Sequence, residues 1–343
     1  MYEDIPVIRN HEVFADDFIP AQLNHRDGQI KSLRDDLKPL IDKEQGRHVF
    51  IYGPPGTGKT CTSMYVTGEL KSESIPSVYI NCWETHSRFK VLYKVLEVLG
   101  LKLSIHNKGT ATHELLEKMK KKLHEKSCVV ILDEVDQLDD DKILYDFVTT
   151  PNLTLILISN NETVLADADP RIRSRFASAD NLEFKQYTTS EIAEILRERA
   201  EIGLVPGVIQ NSYLEKIAAS TSGDARIAIN SLRIAAKAAD DANTGRITEE
   251  HINKALPTAE KEVKKKSIDS LNEHQQIIYK IIKSTSDVKP SDLYSSYKKE
   301  CEAKQMEPIK DRTIRKYLDK LVQYKLIIAS GENKWRTYSI PEF

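Results

Sequence analysis

The residues best suited to chemistry lie in one octapeptide, Gly53-Pro54-Pro55-Gly56-Thr57-Gly58-Lys59-Thr60. It fits the pattern G-x-x-x-x-G-K-[ST] and sits between the apolar run 48–52 and a stretch with helical spacing. Glycines there let successive backbone N–H groups turn inward around phosphate oxygens, and the following helix N-terminus adds partial positive charge. Lys59 has the reach for the β- and γ-phosphates of a nucleoside triphosphate, and the Thr60 hydroxyl can ligate Mg²⁺. A chance match in a chain this long is on the order of one in a hundred at average residue usage, so the octapeptide is read as a phosphate loop.

A second group supplies the rest of such a site. The apolar run 129–132 ends in Asp133-Glu134, which sets Asp133 beside the metal and Glu134 where it can polarise an attacking water. The run 153–159 ends at Asn160, at the strand edge where ligands bind in parallel sheets. Asn160 is expected to orient water or touch the γ-phosphate, with a plain Asn160-Asn161 turn as the alternative. Arg171, Arg173 and Arg175 crowd into five residues. One of them is expected to enter the ATP site of a neighbouring subunit and offset transition-state charge; the alternative is a soluble surface. Arg226, in Gly223-Asp224-Ala225-Arg226, opens a helix and gains nothing there from the macrodipole. It is expected to point back at the phosphates.

These residues need a sheet and a lid to position them. Apolar runs at 48–52, 77–81, 129–132 and 153–159 alternate with amphipathic stretches, one of them at 139–149. Such alternation predicts a parallel sheet covered by helices. After Tyr187 the strand signal disappears. Thr188 and Glu191 have capping-box spacing, Ile192, Ile195, Leu196 and Arg199 follow at helical spacing, and further helices are expected at 212–220, 224–239 and 248–255. The expected division is an α/β nucleotide domain at 1–187, a helical lid at 188–257, a basic linker at 258–267 and a DNA-binding domain at 268–343. The charged run 261–266 is expected to be an exposed connecting helix or linker, with direct DNA contact as the alternative.

In that last segment an apolar stripe of Ile314, Tyr317, Leu318 and Leu321 follows Asp311, with Arg312, Arg315, Lys316, Lys320 and Gln323 set opposite. Strands at 327–330 and 334–340 then flank Gly331-Glu332-Asn333, with Lys334, Trp335 and Arg336 on the returning strand. Three helices and a hairpin make a winged-helix pattern. Arg312, Arg315, Lys316, Lys320, Lys334 and Arg336 are its candidate DNA contacts, a solvated face or a protein-interaction module being the alternatives.

Composition agrees. The chain has 343 residues, 40% hydrophobic and 30% charged, a soluble globular balance long enough for two or three domains. No apolar run is long enough to span a bilayer, and no secretory signal is expected at the N-terminus. Cys61, Cys82, Cys128 and Cys301 form no C-x-x-C pair, which argues against a zinc ribbon or disulfide scaffold and for the cytoplasm. Residues 261–343 carry 18 Lys and Arg against 12 Asp and Glu, the remainder 32 against 40. A basic tail on an acidic body suits contact with a polyanion.

Together these motifs resemble the AAA+ ATPases. More narrowly, the chain looks like the archaeal replication initiators related to the origin recognition complex and the Cdc-six loader protein, over nearly its whole length. Phe18-Ile19-Pro20 and His25-Arg26-Asp27-Gly28-Gln29-Ile30 precede the phosphate loop as in that family, and Ile80-Asn81-Cys82 leads into an inserted helical stretch at 87–101. The resemblance implies a P-loop parallel sheet with a helical lid and a C-terminal winged helix. It also implies ATP/ADP and Mg²⁺ as cofactors and slow hydrolysis acting as a switch. Its partners would be duplex origin DNA, the replicative helicase and further copies or relatives on DNA, with no membrane. Asn160 takes the sensor-one position, Arg226 the sensor-two position and Arg175 the arginine finger, while the insertion matches a motif that contacts origin DNA. Branch-migration motors, clamp loaders and regulatory signalling ATPases share parts of the pattern. The short interval from Asp133 to Asn160 leaves no room for the motor's hairpin, and Glu134 disfavours the signalling class.

Overall fold

A computed structural model of the chain describes residues 6–101, 111–139, 141–166, 168–285, 287–324, 326–331 and 336–341. It divides into two compact units, Met1–Glu260 and Lys261–Phe343.

The first unit is built on five parallel strands: β1 (Val49–Tyr52), β2 (Ser77–Asn81), β3 (Cys128–Asp133), β4 (Leu153–Ser159) and β5 (Asp180–Glu183), in the order β2-β3-β4-β1-β5. Every residue of β3 and β4 is buried, as a sheet covered on both faces requires. Alternate side chains feed two cores. Ile51, Ile131 and Ile156 pack with Leu33 and Leu37 of α1 (Asp27–Leu37) and Val66 of α2 (Lys59–Glu69). Phe50, Leu132 and Leu155 pack with α3 (Arg88–Val98), α4 (Thr112–Leu123), α5 (Lys142–Val148) and α6 (Pro170–Phe176).

The connection from β1 to β2 passes β4 and β3 in one direction, while that from β4 to β5 passes β1 in the other. Adjacent strands whose connections diverge leave a crevice at their carboxyl ends. Here that crevice lies between the ends of β1 and β4, where the phosphate loop and Asn160 stand. β5 was not expected as a strand. It pairs on one side only, and only Leu182 of its four residues is buried, so it carries no apolar signal.

The lid comprises α7 (Thr189–Gly203), α8 (Asn211–Ser220), α9 (Ala225–Asp241) and the first part of α10 (Glu249–Asp269), a helix that runs across the boundary between the units. α7 opens with the Thr188/Glu191 capping box. The lid core also takes in Val7, Ile8 and Phe14 from the N-terminal stretch, and Arg199 donates to the Val13 carbonyl at 3.0 Å. α10 runs on past Pro257 and through the charged run 261–266, which takes the connecting-helix form of the two expected there. Proline forgoes one backbone hydrogen bond, a cost of roughly 3 kcal/mol that burial of Ile252, Ala255 and Ala259 offsets. Among the described residues no helix is long and apolar enough to cross a membrane.

The second unit is a winged helix: α11 (Glu273–Ser284), α12 (Pro290–Ala303) and α13 (Asp311–Gln323), then the antiparallel pair β6 (Ile328–Ser330) and β7 (Thr337–Ser339). Val288 bridges Tyr338 as a third short edge. Leu293, Tyr297, Ile314, Leu318 and Leu321 form its interior.

Candidate nucleotide and nucleic-acid sites

The phosphate loop follows β1 and ends in the first turn of α2. Gly53, Gly56 and Gly58 all have positive φ (144°, 74° and 88°). At Gly53 the approach is also too close for a side chain, since a Cβ would lie 2.1 Å from the Phe184 carbonyl oxygen. The Thr57 hydroxyl donates to the Pro54 carbonyl at 2.8 Å and holds the loop's curve, while Pro54 and Pro55 are exposed on its outside.

Lys59 is buried, and its ammonium spends three donors on the carbonyls of Gly53 (2.7 Å) and Pro54 (2.8 Å) and on Asn160 Oδ1 (2.8 Å). The Asn160 amide donates in turn to both Glu134 oxygens, at 3.0 and 3.1 Å. On the other arm Thr60 Oγ1 donates to Asp133 Oδ2 at 2.6 Å, Tyr79 OH donates to the same oxygen at 3.0 Å, and the Glu134 amide donates to Oδ1 at 2.9 Å. Residues at the ends of β1, β3 and β4, with Tyr79 from the middle of β2, thus share one circuit. Glu134 adopts a left-handed backbone (φ 54°), a strained conformation for a residue with a side chain, of order 1–3 kcal/mol.

Burial, helped by Arg226, draws the Lys59 ammonium down to about 8 against the opposing pull of Glu134, Asp133 and Asp224. Burial likewise pushes the Asp133 carboxyl up, against the hydrogen bonds from Thr60 and Tyr79. Chemically, the circuit offers a cation and a helix N-terminus for phosphates, and a carboxylate held by an amide for an attacking water. The adjoining Thr60 and Asp133 oxygens are the sparse, hard donor set that Mg²⁺ shares with substrate phosphates.

The lid sits directly on this loop. The Ala225 amide donates to the Gly56 carbonyl at 3.1 Å, and a Cβ on Gly56 would meet the Asp224 carboxylate at 2.0 Å. Arg226 is paired with Asp224 at 3.0 Å, and its charge is felt at both Lys59 and Glu134. Arg26 braces the same region from α1. Its buried guanidinium donates to the carbonyls of Thr57 (3.0 Å) and Lys185 (2.9 Å) and lies 3.8 Å from the Tyr187 ring centroid.

Sequence reasoning assigned no role to Tyr79, Asp224 or Arg26. For Asp224 a signal was present, because an aspartate before a helix is an N-cap. Strand alternation says nothing of what a hydroxyl such as that of Tyr79 will meet.

The three clustered arginines differ in their bonds. Arg171 is tied to Asp169 through two atoms at 3.0 Å, and Arg173 reaches the Ala166 carbonyl at 3.4 Å. Arg175 is exposed on α6. The inserted stretch is α3, with Val91, Leu92, Val95 and Leu96 buried and Arg88 bound to Asp146 at 2.7 Å.

On the winged helix, Arg312, Arg315 and Lys316 are exposed on α13, and Arg315 donates to Tyr294 OH at 3.3 Å. Arg336 stands over the Tyr338 ring and reaches Asp319 at 3.4 Å. Lys320 corrects the expectation, since it is only 7% exposed. At about 100° per residue it falls on the flank beside Tyr317 rather than opposite the stripe, and that flank is covered. Lys334 and Trp335 lie outside the described residues.

Known proteins bear on this arrangement. Residues 193–256 match the family described as the Cdc6 AAA+ ATPase-type lid domain, and residues 42–164 match an AAA domain. ORC1-type DNA replication protein 9 of Halobacterium salinarum is 36% identical over 337 residues, 97% of this chain and 94% of its own length. The Aeropyrum pernix ORC1 protein, solved in complex with DNA, has a TM-score of 0.77 at 22% identity, covering 99% of this chain and 94% of that one. The ORC2 protein of the same organism, solved as ADPNP-ADP complexes, has a TM-score of 0.66 at 22% identity, covering 97% and 94%. At such identities the two structures speak for the fold: a parallel sheet, a lid and a winged helix in one chain.

Proposed function

The chain belongs to the archaeal ORC1/Cdc6-type replication initiators, a branch of the AAA+ ATPases, and on that premise we propose that it is an ATP-switched, origin-binding initiator that helps to recruit or load the replicative helicase. The observation that carries the switch is the circuit from Lys59 through Asn160 and Glu134 to Asp133 and Thr60, with the lid seated on Gly56 above it.

Phosphates of ATP draw the Lys59 ammonium away from the carbonyls of Gly53 and Pro54 and take backbone N–H groups of the loop from Gly56 to Thr60. Pro55 keeps the loop's outer turn rigid. Thr60 and Asp133 would hold Mg²⁺, which would supply positive charge to offset that of the phosphates. Glu134, oriented by Asn160, accepts a proton from the attacking water. Arg226 meets the γ-phosphate from the lid, and Arg175 of a neighbouring protomer offsets transition-state charge from outside. Loss of the γ-phosphate removes the partner of Arg226 and resets the lid's seat, which is the switch.

DNA is held by the winged helix, residues 268–343, through Arg312, Arg315, Lys316, Lys334 and Arg336, with 188–257 as lid, 258–267 as linker and 1–187 as nucleotide domain. The protein works in the cytoplasm, assembled with copies of itself or with related initiators on the origin. Titrating duplex DNA from around the protein's own gene, in ATP and in ADP, tests this reading. Affinity that differs between the nucleotides supports the switch, equal affinity removes it, and absence of duplex binding at low salt removes the initiator.

A further inference from the structure

Among the described residues two arginines follow an N-cap aspartate by two positions, and the pairs differ in where they are held. Asp169 and Arg171 open α6 on open surface. Asp224 and Arg226 open α9 against the phosphate loop, where the Asp224 side chain is 15% exposed and that of Arg226 48%. Asp224 Oδ1 accepts from the amides of Arg226 (2.9 Å) and Ile227 (3.3 Å) and from Arg226 Nε (3.4 Å), while Oδ2 accepts from Arg226 Nη2 at 3.0 Å. The same carboxylate is pressed on Gly56, so that even a methyl group there would collide with it.

A cap does not need this charge, since asparagine and serine cap a helix about as well. A full negative charge beside a loop that gathers phosphates is electrostatically adverse unless it has a use. Its visible use is to hold the Arg226 guanidinium.

We propose that Asp224 is a positioning residue that retains Arg226 until a γ-phosphate competes for it, so that the lid answers ATP by an exchange of anionic partners. The exchange trades one charge-assisted contact for another. The guanidinium of the pair given up is half exposed, which screens the pair, so a doubly charged terminal phosphate displaces it without a large lid movement. The inference rests on the reading of Arg226 as the lid's phosphate-facing arginine.

The test is a double-mutant cycle on ATP affinity, measured by equilibrium titration of the full chain. Asp224→Asn keeps the cap and removes the charge, and Asp224→Ser is a second variant of the same kind, with melting temperature checking that both stay folded. Each should tighten ATP binding by about two- to fivefold, the worth of a released, partly exposed ion pair. In an Arg226→Ala background the gain should vanish.

A gain that persists without Arg226 would mean that Asp224 only repels phosphate, and it overturns the proposal. Unchanged or weaker ATP binding in the folded Asn and Ser variants overturns it too. If Arg226→Ala alone alters neither ATP affinity nor turnover, the reading of Arg226 fails, and the proposal falls with it.

Discussion

The phosphate-loop site and the exposed face of α13 both gather charged side chains, but they spend them differently. At the loop, Lys59, Asn160, Glu134, Asp133, Thr60 and Tyr79 satisfy one another inside the protein. On α13, Arg312, Arg315 and Lys316 stand in solvent. A buried circuit is cooperative, because removing one member strands the others in a poorly screened interior. An exposed row acts almost additively, each member contributing a modest, salt-screened amount. Substitutions can break or sharpen that contrast.

The largest effect is expected at Glu134. Glu134→Gln keeps the shape and the Asn160 contact but cannot take a proton, so turnover should drop by about 10²- to 10⁴-fold while ATP binding stays nearly unchanged. Single-turnover hydrolysis beside equilibrium binding checks this, and undiminished turnover would strip Glu134 of its role. Lys59→Ala should act on the other quantity. It removes the cation that three oxygens and three nearby carboxylates share, and ATP affinity should fall by about 100-fold or more.

Lys59 also predicts a pH dependence with a definite sign. Burial holds its ammonium down to about 8, whereas bound phosphates favour the charged form. Nucleotide binding therefore takes up a proton above that value. Affinity should be fully present below pH 8 and decline above it, by at most tenfold per unit. A flat profile from pH 7 to 9.5 would show that the circuit does not desolvate this lysine.

Much of the nucleotide site was legible because its motif encodes backbone geometry. Glycines at 53, 56 and 58 mark positive φ, and an apolar run ending in two acids marks the end of a buried strand. The central strands β1, β3 and β4 were legible as continuous apolar runs, and the edge strand β2 through its buried Val78 and Ile80. β5 was not, since three of its four residues are polar or charged and only Leu182 is buried. The length of α10 was obscured by Pro257, whose local penalty is overridden by packing. The seat of Asp224 on Gly56 depends on how the lid docks, which no local pattern specifies. Lys320 shows the limit of a helical wheel: it assigns an angle to each residue but not how far neighbouring elements wrap round the helix.

That misplacement supplies the smallest and most discriminating expectation. If Arg312, Arg315 and Lys316 meet phosphates, replacing any one of them with alanine should weaken duplex binding severalfold at moderate salt. It should also reduce the slope of log affinity against log salt by about 0.9, the counterion released per phosphate contact. Lys320→Ala removes the same formal charge from the same helix, yet its side chain is buried, so the salt slope should stay put. Its cost should fall on stability instead, through lost packing of the aliphatic stem, and lower the melting temperature. If Lys320→Ala reduces the salt slope as much as Arg315→Ala does, burial is not what separates these cations. The contrast between an exposed row and a covered flank would then give way to a simple count of charges.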